Sequence, residues 1–276
     1  MYPSFRFALL LFVVIVPLTL SAQTNFPLTN AENKTLLSFQ FQHPFFKSGS
    51  TDFSLLSGTY DLTLVAPVGS GLSIIGTLPY AAYATSSSFS DNSMGTFTNI
   101  SVGLRKTFVP STSLLDFKVF LPTAPSDSKN TYAMYYAFYH RLYDFELYIP
   151  DAFSFQTRYY YFKNFDGLLL GGVIGASAFV PTDNGNDEIE VFIRYGVSTG
   201  YENKDIRLLA EITGIGILTE KKIFSDGKTE YYAVLGGQWT GGSVIKPKIN
   251  VHIPLGNDLS EIYGTALTLG CDFVLP

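Results

Sequence analysis

From Gly95 to Pro125 the chain reads GTFTNISVGLRKTFVPSTSLLDFKVFLPTAP, and its apolar residues return at every second position. Ile100, Val102, Leu104 and Phe108 hold one parity; Asn99, Ser101, Gly103, Arg105 and Thr107 hold the other. Period two is the pattern of a β-strand with two unlike faces, and a helix cannot produce it. Past a turn at Pro110–Ser113, Leu115, Phe117, Val119 and Leu121 alternate with Asp116, Lys118 and Phe120, so a second strand returns antiparallel to the first. The charges fall in the middle of both strands and on one face only. A soluble sandwich hides its apolar face and solvates the charged one, whereas a barrel in lipid does the reverse.

Composition favours the barrel. Hydrophobic residues make up 46% of the chain and charged residues only 15%, against a usual charged share of about 25%. Something other than water must cover much of this surface. A helical membrane protein is the obvious rival, and the uncharged run from Leu62 to Ser90 is its best support. That run is broken by Pro67-Val68-Gly69-Ser70-Gly71 and again by Pro79, so it reads as two strands around a turn. Beyond the N-terminal residues no stretch offers the unbroken apolar length a spanning helix needs.

The first residues read as a targeting segment. Arg6 precedes an apolar run from Phe7 to Leu20 that contains Pro17, and Leu20-Ser21-Ala22 ends in a small residue suited to cleavage before Gln23. The expected organisation is a cleaved signal peptide at 1–22, a short periplasmic segment at 23–33 and one barrel domain at 34–276. A retained anchor is the alternative reading, against which the run is short and interrupted by proline. The single cysteine, Cys271, excludes an intrachain disulfide framework, and the net charge of -5 argues against a nucleic-acid partner.

Alternating segments continue along the chain. Ile189, Val191, Ile193, Tyr195 and Val197 oppose Glu188, Glu190, Phe192, Arg194 and Ser198; Ile245, Ile249, Val251 and Ile253 oppose Lys246, Lys248, Asn250 and His252. Leu168–Val180 is apolar on both parities and its faces cannot be assigned. Short connections such as Pro67–Ser70, Asn164–Gly167 and Gly241–Ser243 alternate with longer polar ones such as Ala84–Gly95, Pro122–Asn130 and Pro181–Asp187. That asymmetry is the one a transmembrane barrel shows between its periplasmic turns and its outer loops. The expected fold is therefore all-β, a transmembrane antiparallel up-and-down β-barrel of 12–14 strands, with 14 preferred. The aromatic tract Tyr132–Tyr161 is read as three or four strands around a turn at Leu142-Tyr143-Asp144; two long strands there would give twelve.

Charges on the inner parity are Asp61, Arg105, Asp116, Lys118, Glu146, Arg158, Glu188, Glu190, Arg194, Arg207, Glu211, Lys246, Lys248 and Asp272, with His252 beside them. They make either a salt-bridge ladder that holds the interior or, through a subset such as Lys246, Lys248, Arg207 and Arg105, a constriction that selects solutes. His43, His140 and His252 are far apart in sequence, and no metal, cofactor or nucleophile motif is present, so no catalytic, cofactor or metal residues are assigned. His140 is expected at the membrane interface and Cys271 against lipid. Tyr60, Tyr80, Tyr83, Phe97, Phe108, Tyr132, Tyr148, Tyr195, Tyr231 and Tyr263 are expected in the interfacial girdles. The dense set at Tyr135, Tyr139 and Tyr159–Tyr161 would put aromatic rings into the lumen.

Leu78-Pro79-Tyr80, then Asn99-Ile100-Ser101-Val102-Gly103-Leu104-Arg105, then Phe120-Leu121-Pro122-Thr123-Ala124-Pro125 resembles the phenol-degradation MetA-pathway family of outer-membrane barrel transporters. In that family a strand ending Leu-Pro precedes a Gly-Asp-Leu-x-Leu-Gly strand and then one ending Leu-Pro-Thr-Gly. This chain has Asn99 where the family has aspartate and Ala124 where it has glycine, and the likeness covers Leu62–Pro125. The resemblance implies passage of small, including hydrophobic, compounds and brings no catalytic residues. A passive channel of the bacterial outer membrane is thus the leading expectation, with lipid, the barrel-assembly machinery and a small solute as partners. The alternative is a structural or adhesion barrel with a filled lumen that presents its outer loops; an outer-membrane enzyme ranks below both.

Overall fold

A computed structural model describes residues 34–47, 52–86, 91–109, 112–182, 189–219 and 229–275. The expected signal peptide at 1–22 and periplasmic segment at 23–33 lie outside them, as does Glu188. The strands are β1 (Thr35–Phe46), β2 (Asp52–Phe53), β3 (Gly58–Gly69), β4 (Leu72–Ser86), β5 (Asp91–Phe97), β6 (Ser101–Val109), β7 (Ser113–Phe120), β8 (Ala152–Phe165), β9 (Leu168–Pro181), β10 (Glu190–Glu202), β11 (Ile206–Ile217), β12 (Thr229–Trp239), β13 (Ile245–Pro254) and β14 (Tyr263–Leu275). Between β7 and β8 lie helix α1 (Ser128–His140) and a 3-10 helix (Leu142–Leu147); α2 (Asn257–Ile262) precedes β14.

Among the described residues every strand-to-strand pairing is antiparallel, and the sheet closes into one ring through the pairings of β1 with β14 and of β4 with β6. Closure removes open edges, which hydrocarbon does not tolerate because it cannot hydrogen-bond a bare N–H or C=O. Twelve strands form the wall. β5 and β6 act as one interrupted strand: β5 pairs with the upper half of β4 (Tyr80–Ser86) and β6 with its lower half (Leu72–Thr77). The expected loop Ala84–Gly95 is therefore mostly hairpin. The preference for fourteen strands is corrected, because Tyr132–Leu147 is helical and only β8 in that region joins the wall.

The alternation places side chains as lipid and water require. Val102, Leu104, Phe108 and Phe117 are all more than two-fifths exposed on the outside, while Ser101, Arg105 and Asp116 on the opposite parity are buried in the lumen. At the tight-turn end the β8–β9 hairpin turns through Asp166 (φ 51) and Gly167 (φ 101), two consecutive left-handed residues of the kind a two-residue hairpin selects. The faces of β9, unreadable from its apolar composition, are set by the register: Leu169, Val173, Ser177 and Phe179 point inward.

The girdle expectation divides. Tyr195 and Tyr231 lie outside and share a hydroxyl hydrogen bond of 3.0 Å, and Phe97 and Phe108 are exposed as expected. Tyr83, Tyr148 and Tyr263 are instead buried inside the barrel. Tyr132 and Tyr135 sit exposed on α1, Tyr159 and Tyr161 face outward, and only Tyr160 of that triplet enters the lumen. Strand parity decides this, because consecutive tyrosines must face opposite sides.

A charge on the outer parity at mid-height should be costly. Leu104→Arg is expected to destabilise the barrel by about 2–4 kcal/mol, read as a lower denaturant midpoint in lipid vesicles, whereas Leu104→Val should shift it little.

Candidate functional site: an inserted segment pinned by ion pairs

After β7 ends at Phe120 the chain turns into the barrel from the loop end. Asp127 caps α1 by accepting from the Asn130 amide at 2.9 Å. Ala133, Met134, Ala137 and His140, which recur at helical spacing, are buried. They pack with Ala81 and Tyr83 of β4 and with Phe120, Leu147 and Tyr148. The 3-10 helix drives Phe145 into a second apolar cluster, stacked on Phe179 at 5.1 Å and edge-on to Phe192 at 4.8 Å. Backbone contacts and one side chain lock the junction. The Asn99 amide nitrogen of the main chain donates to Leu147 O at 2.9 Å, and its side chain donates to Glu146 O at 3.0 Å and to Ile149 O. Asn99 Oδ1 accepts from the Ala124 amide at 3.0 Å. Asn99 and Ala124 thus touch each other.

Beneath these apolar contacts lies a layer of ions. One ladder row runs around the wall as Arg105, Asp116, Arg158, Gly175 and Arg194. Gly175 separates two arginines, and a Cβ there would lie 2.9 Å from Arg158 Cγ. Arg105 and Asp116 form a bidentate pair, both contacts 2.7 Å. The remaining arginines find their counter-charges on the inserted segment: Arg158 reaches Asp144 at 2.6 Å, and Arg194 reaches Glu146 at 2.5 Å. Both guanidinium groups also donate to Tyr143 O, at 2.6 and 3.0 Å, and lie over the rings of Tyr143 and Phe145. From the opposite direction Arg141 of the segment pairs with Asp61 of β3 at 2.6 Å, and Tyr148 donates to the same carboxylate at 3.0 Å. Gln156 donates to Glu146 and Gln42 to His140 O.

The sequence-derived lumen residues are therefore brought together selectively. Arg105, Asp116, Lys118, Arg158, Arg194, Glu211, Lys248 and His252 point inward from the wall. Lys248 binds Ser38 Oγ at 2.7 Å and pairs with Asp272, and His252 meets Thr268 Oγ1 at 3.1 Å. Glu146 is also inside, though on the 3-10 helix and not on a strand. Glu190 and Arg207 stand at opposite ends of the wall, Arg207 pairing with Glu202, and Lys246 is half-buried opposite Asp272. Of the suggested constriction, Arg105 pairs with Asp116, Arg207 with Glu202 at a strand end and Lys248 with Asp272, while Lys246 stands opposite that same aspartate in register. His140 is corrected from the interface to the interior, where its Nδ1 lies 2.9 Å from Tyr136 O. Sequence reasoning missed Arg141 and Asp144, for which helical spacing of Ala133, Met134 and Ala137 after a capping aspartate was the available signal; it placed Asn99 on the inner parity without its contacts. Among the described residues no group of three or more His, Cys, Asp or Glu side chains could hold a metal.

Between the inserted segment and the tight-turn end lies a cavity of about 110 Å³, roofed by Arg141, Asp144 and Leu147. Its floor is apolar, with Leu36, Val65 and Ile75 clustered on one side of the wall. Burial works against the Asp144 charge, but Arg158, Lys118 and Arg141 outweigh it and hold the carboxyl well below the usual range. Burial, with Arg141 nearby, pushes the His140 imidazole well below its ordinary value.

The sequence matches no family model and no curated relative. The fold matches solved bacterial barrels. An outer membrane channel from Pseudomonas putida F1 aligns over 88% of this chain and 96% of its own, with 12% identity and a TM-score of 0.61. The NanC porin aligns over 87% and 100% with 9% identity and a TM-score of 0.52. The β domain of the Bordetella autotransporter BrkA aligns over 88% and 99% with 10% identity and a TM-score of 0.51. The chain thus has the fold of bacterial outer-membrane β-barrels.

Two outcomes test the pinning. Arg194→Met strands Glu146 among buried groups and is expected to weaken attachment of the segment by about 3–5 kcal/mol, measured as faster proteolysis within residues 128–147 while the barrel resists. His140 and Asp144 both have depressed values when folded, so their stabilisation is complete above their ordinary values and fades as pH falls. Proteolysis should therefore be flat above about pH 6.5 and accelerate in acid, first through His140 and later through Asp144; a His140→Gln variant should lose the first phase.

Proposed function

We propose that the chain is a passive outer-membrane channel for small solutes, held closed by the segment that folds in between β7 and β8. One observation carries this reading: the segment is fastened to the wall through charges that water can solvate. Arg158 and Arg194 belong to the wall, and Asp144 and Glu146 to the segment. If the segment withdraws, each half of these pairs becomes a hydrated lumen charge, and the interior becomes a polar path of the kind porins use. An interior sealed by apolar side chains alone would leave a hydrophobic bore that resists wetting. Fold likeness to an outer membrane channel and to a porin supports the same conclusion. The Leu62–Pro125 resemblance supports small, including hydrophobic, compounds as cargo, although the cavity as it stands is lined by ions. Outer-membrane lipid around the belt and the barrel-assembly machinery complete the expected partners.

The filled lumen favours a second reading, a structural barrel that presents its outer loops. Conductance separates the two. In planar bilayers the double variant Asp144→Ala/Glu146→Ala is expected to raise mean conductance several-fold over wild type, because it frees the segment and leaves two arginines facing the lumen. Silence in both proteins, with the heat-dependent gel mobility of a folded barrel retained, would favour the structural barrel.

A further inference from the structure

The lining of the cavity below the inserted segment carries one more cation than carboxylates, and one of those cations makes no ion pair, Asp144 and Asp116 acting on it only from a distance. Four basic side chains line it, Arg105, Lys118, Arg141 and Arg158, against the carboxylates of Asp61, Asp116 and Asp144. Each arginine is matched: Arg105 with Asp116, Arg141 with Asp61 and Arg158 with Asp144. Lys118 has no hydrogen bond and no ion pair among the described residues. A second polar group on the same wall is also unsatisfied. Ser101 lines the cavity and is 1% exposed, and its hydroxyl has no hydrogen-bond partner. A buried hydroxyl left without a partner costs free energy unless a ligand or water meets it.

The two groups are diagonal neighbours across β6 and β7, Ser101 standing opposite Phe120 and Lys118 opposite Gly103. Gly103 lets β6 and β7 approach closely at this point, since a Cβ there would come within 2.9 Å of Lys118 Cα and 2.1 Å of Phe117 O. We propose that Lys118 and Ser101 form a binding site for a small monocarboxylate, the ammonium pairing with one carboxylate oxygen and the Ser101 hydroxyl donating to the other. An excess of one positive charge suits a monoanion and not a dianion. Leu36, Val65 and Ile75 supply an apolar floor for a short hydrocarbon body, and about 110 Å³ is well below the size of pockets that take drug-sized ligands. The site rests on the channel reading and names the solute class that would pause there.

Equilibrium binding to the purified full-length barrel tests the site without requiring conduction. Titration calorimetry with butyrate should show binding to wild type, at least tenfold weaker binding of the neutral isostere butyramide, and a loss of at least tenfold in Lys118→Met. Lys118→Arg should stay within a few-fold of wild type, and Ser101→Ala should fall between. The heat-dependent gel shift verifies that each variant is a closed barrel. Absence of butyrate binding by wild type, equal binding by Lys118→Met, or displacement by chloride at equal concentration would overturn the site. Butyrate binding by a protein that never conducts would overturn the channel reading alone; conduction of uncharged solutes without butyrate binding would overturn the site alone.

Discussion

In hydrocarbon each backbone N–H and C=O must find its partner within the protein. The sheet meets that demand by closing, through β1 with β14 and β4 with β6. Closure then divides every strand into a lipid face and a lumen face, and the lumen face sets two demands against each other: its charges need counter-charges or water, while its apolar patches need covering. The segment between β7 and β8 resolves that conflict. It fills the loop end with apolar contacts through Ala133, Met134, Ala137 and Phe145, and it meets the charged layer below with charges of its own.

The apportioning of charge matters more than its amount. Arg105, Arg158 and Arg194 share a ladder row with only Asp116 as counter-charge on the wall. The missing negatives are Asp144 and Glu146, carried by a segment that has no place in the hydrogen-bonded wall. A buried ion pair contributes little net stability relative to an apolar packing of the same volume, yet breaking one is expensive. Such pairing therefore specifies where the segment sits and leaves an alternative in which water replaces it. Lys118 makes no ion pair, so the cavity lining holds one more cation than carboxylates.

Asn99 illustrates how a sequence likeness and a structure inform each other. Within a strand of the family pattern it stands as a substitution for aspartate, and on spacing alone it is one more inner-parity polar residue. In the fold it sits where β5 breaks into β6, and its amide donates to two carbonyls of the inserted segment while its oxygen accepts from Ala124. An aspartate could make the last contact but not the first two. The signal was present in the sequence as a pair of departures, at Asn99 and Ala124, whose contact only the fold reveals.

The strands, their lipid and lumen faces, the two kinds of connection and the closed barrel follow from the sequence, because side-chain alternation at period two is local and the bilayer punishes any register that breaks it. The inward parity of wall charges such as Arg105, Asp116, Arg158, Arg194 and Lys248 was legible for the same reason, whereas Glu146 belongs to the 3-10 helix and not to a strand. Tyr132–Leu147 was not legible: its many aromatic residues suit a strand as well as a helix, and nothing local says that the segment is shielded inside a barrel instead of forming its wall. The faces of β9, the burial of Tyr83, Tyr148 and Tyr263, and the pairing of Arg141, Arg158 and Arg194 with Asp61, Asp144 and Glu146 were decided by tertiary structure alone. Those contacts join residues far apart in the chain, and their partners are chosen by the curvature of a closed wall around an inserted segment, a geometry that no window of sequence contains.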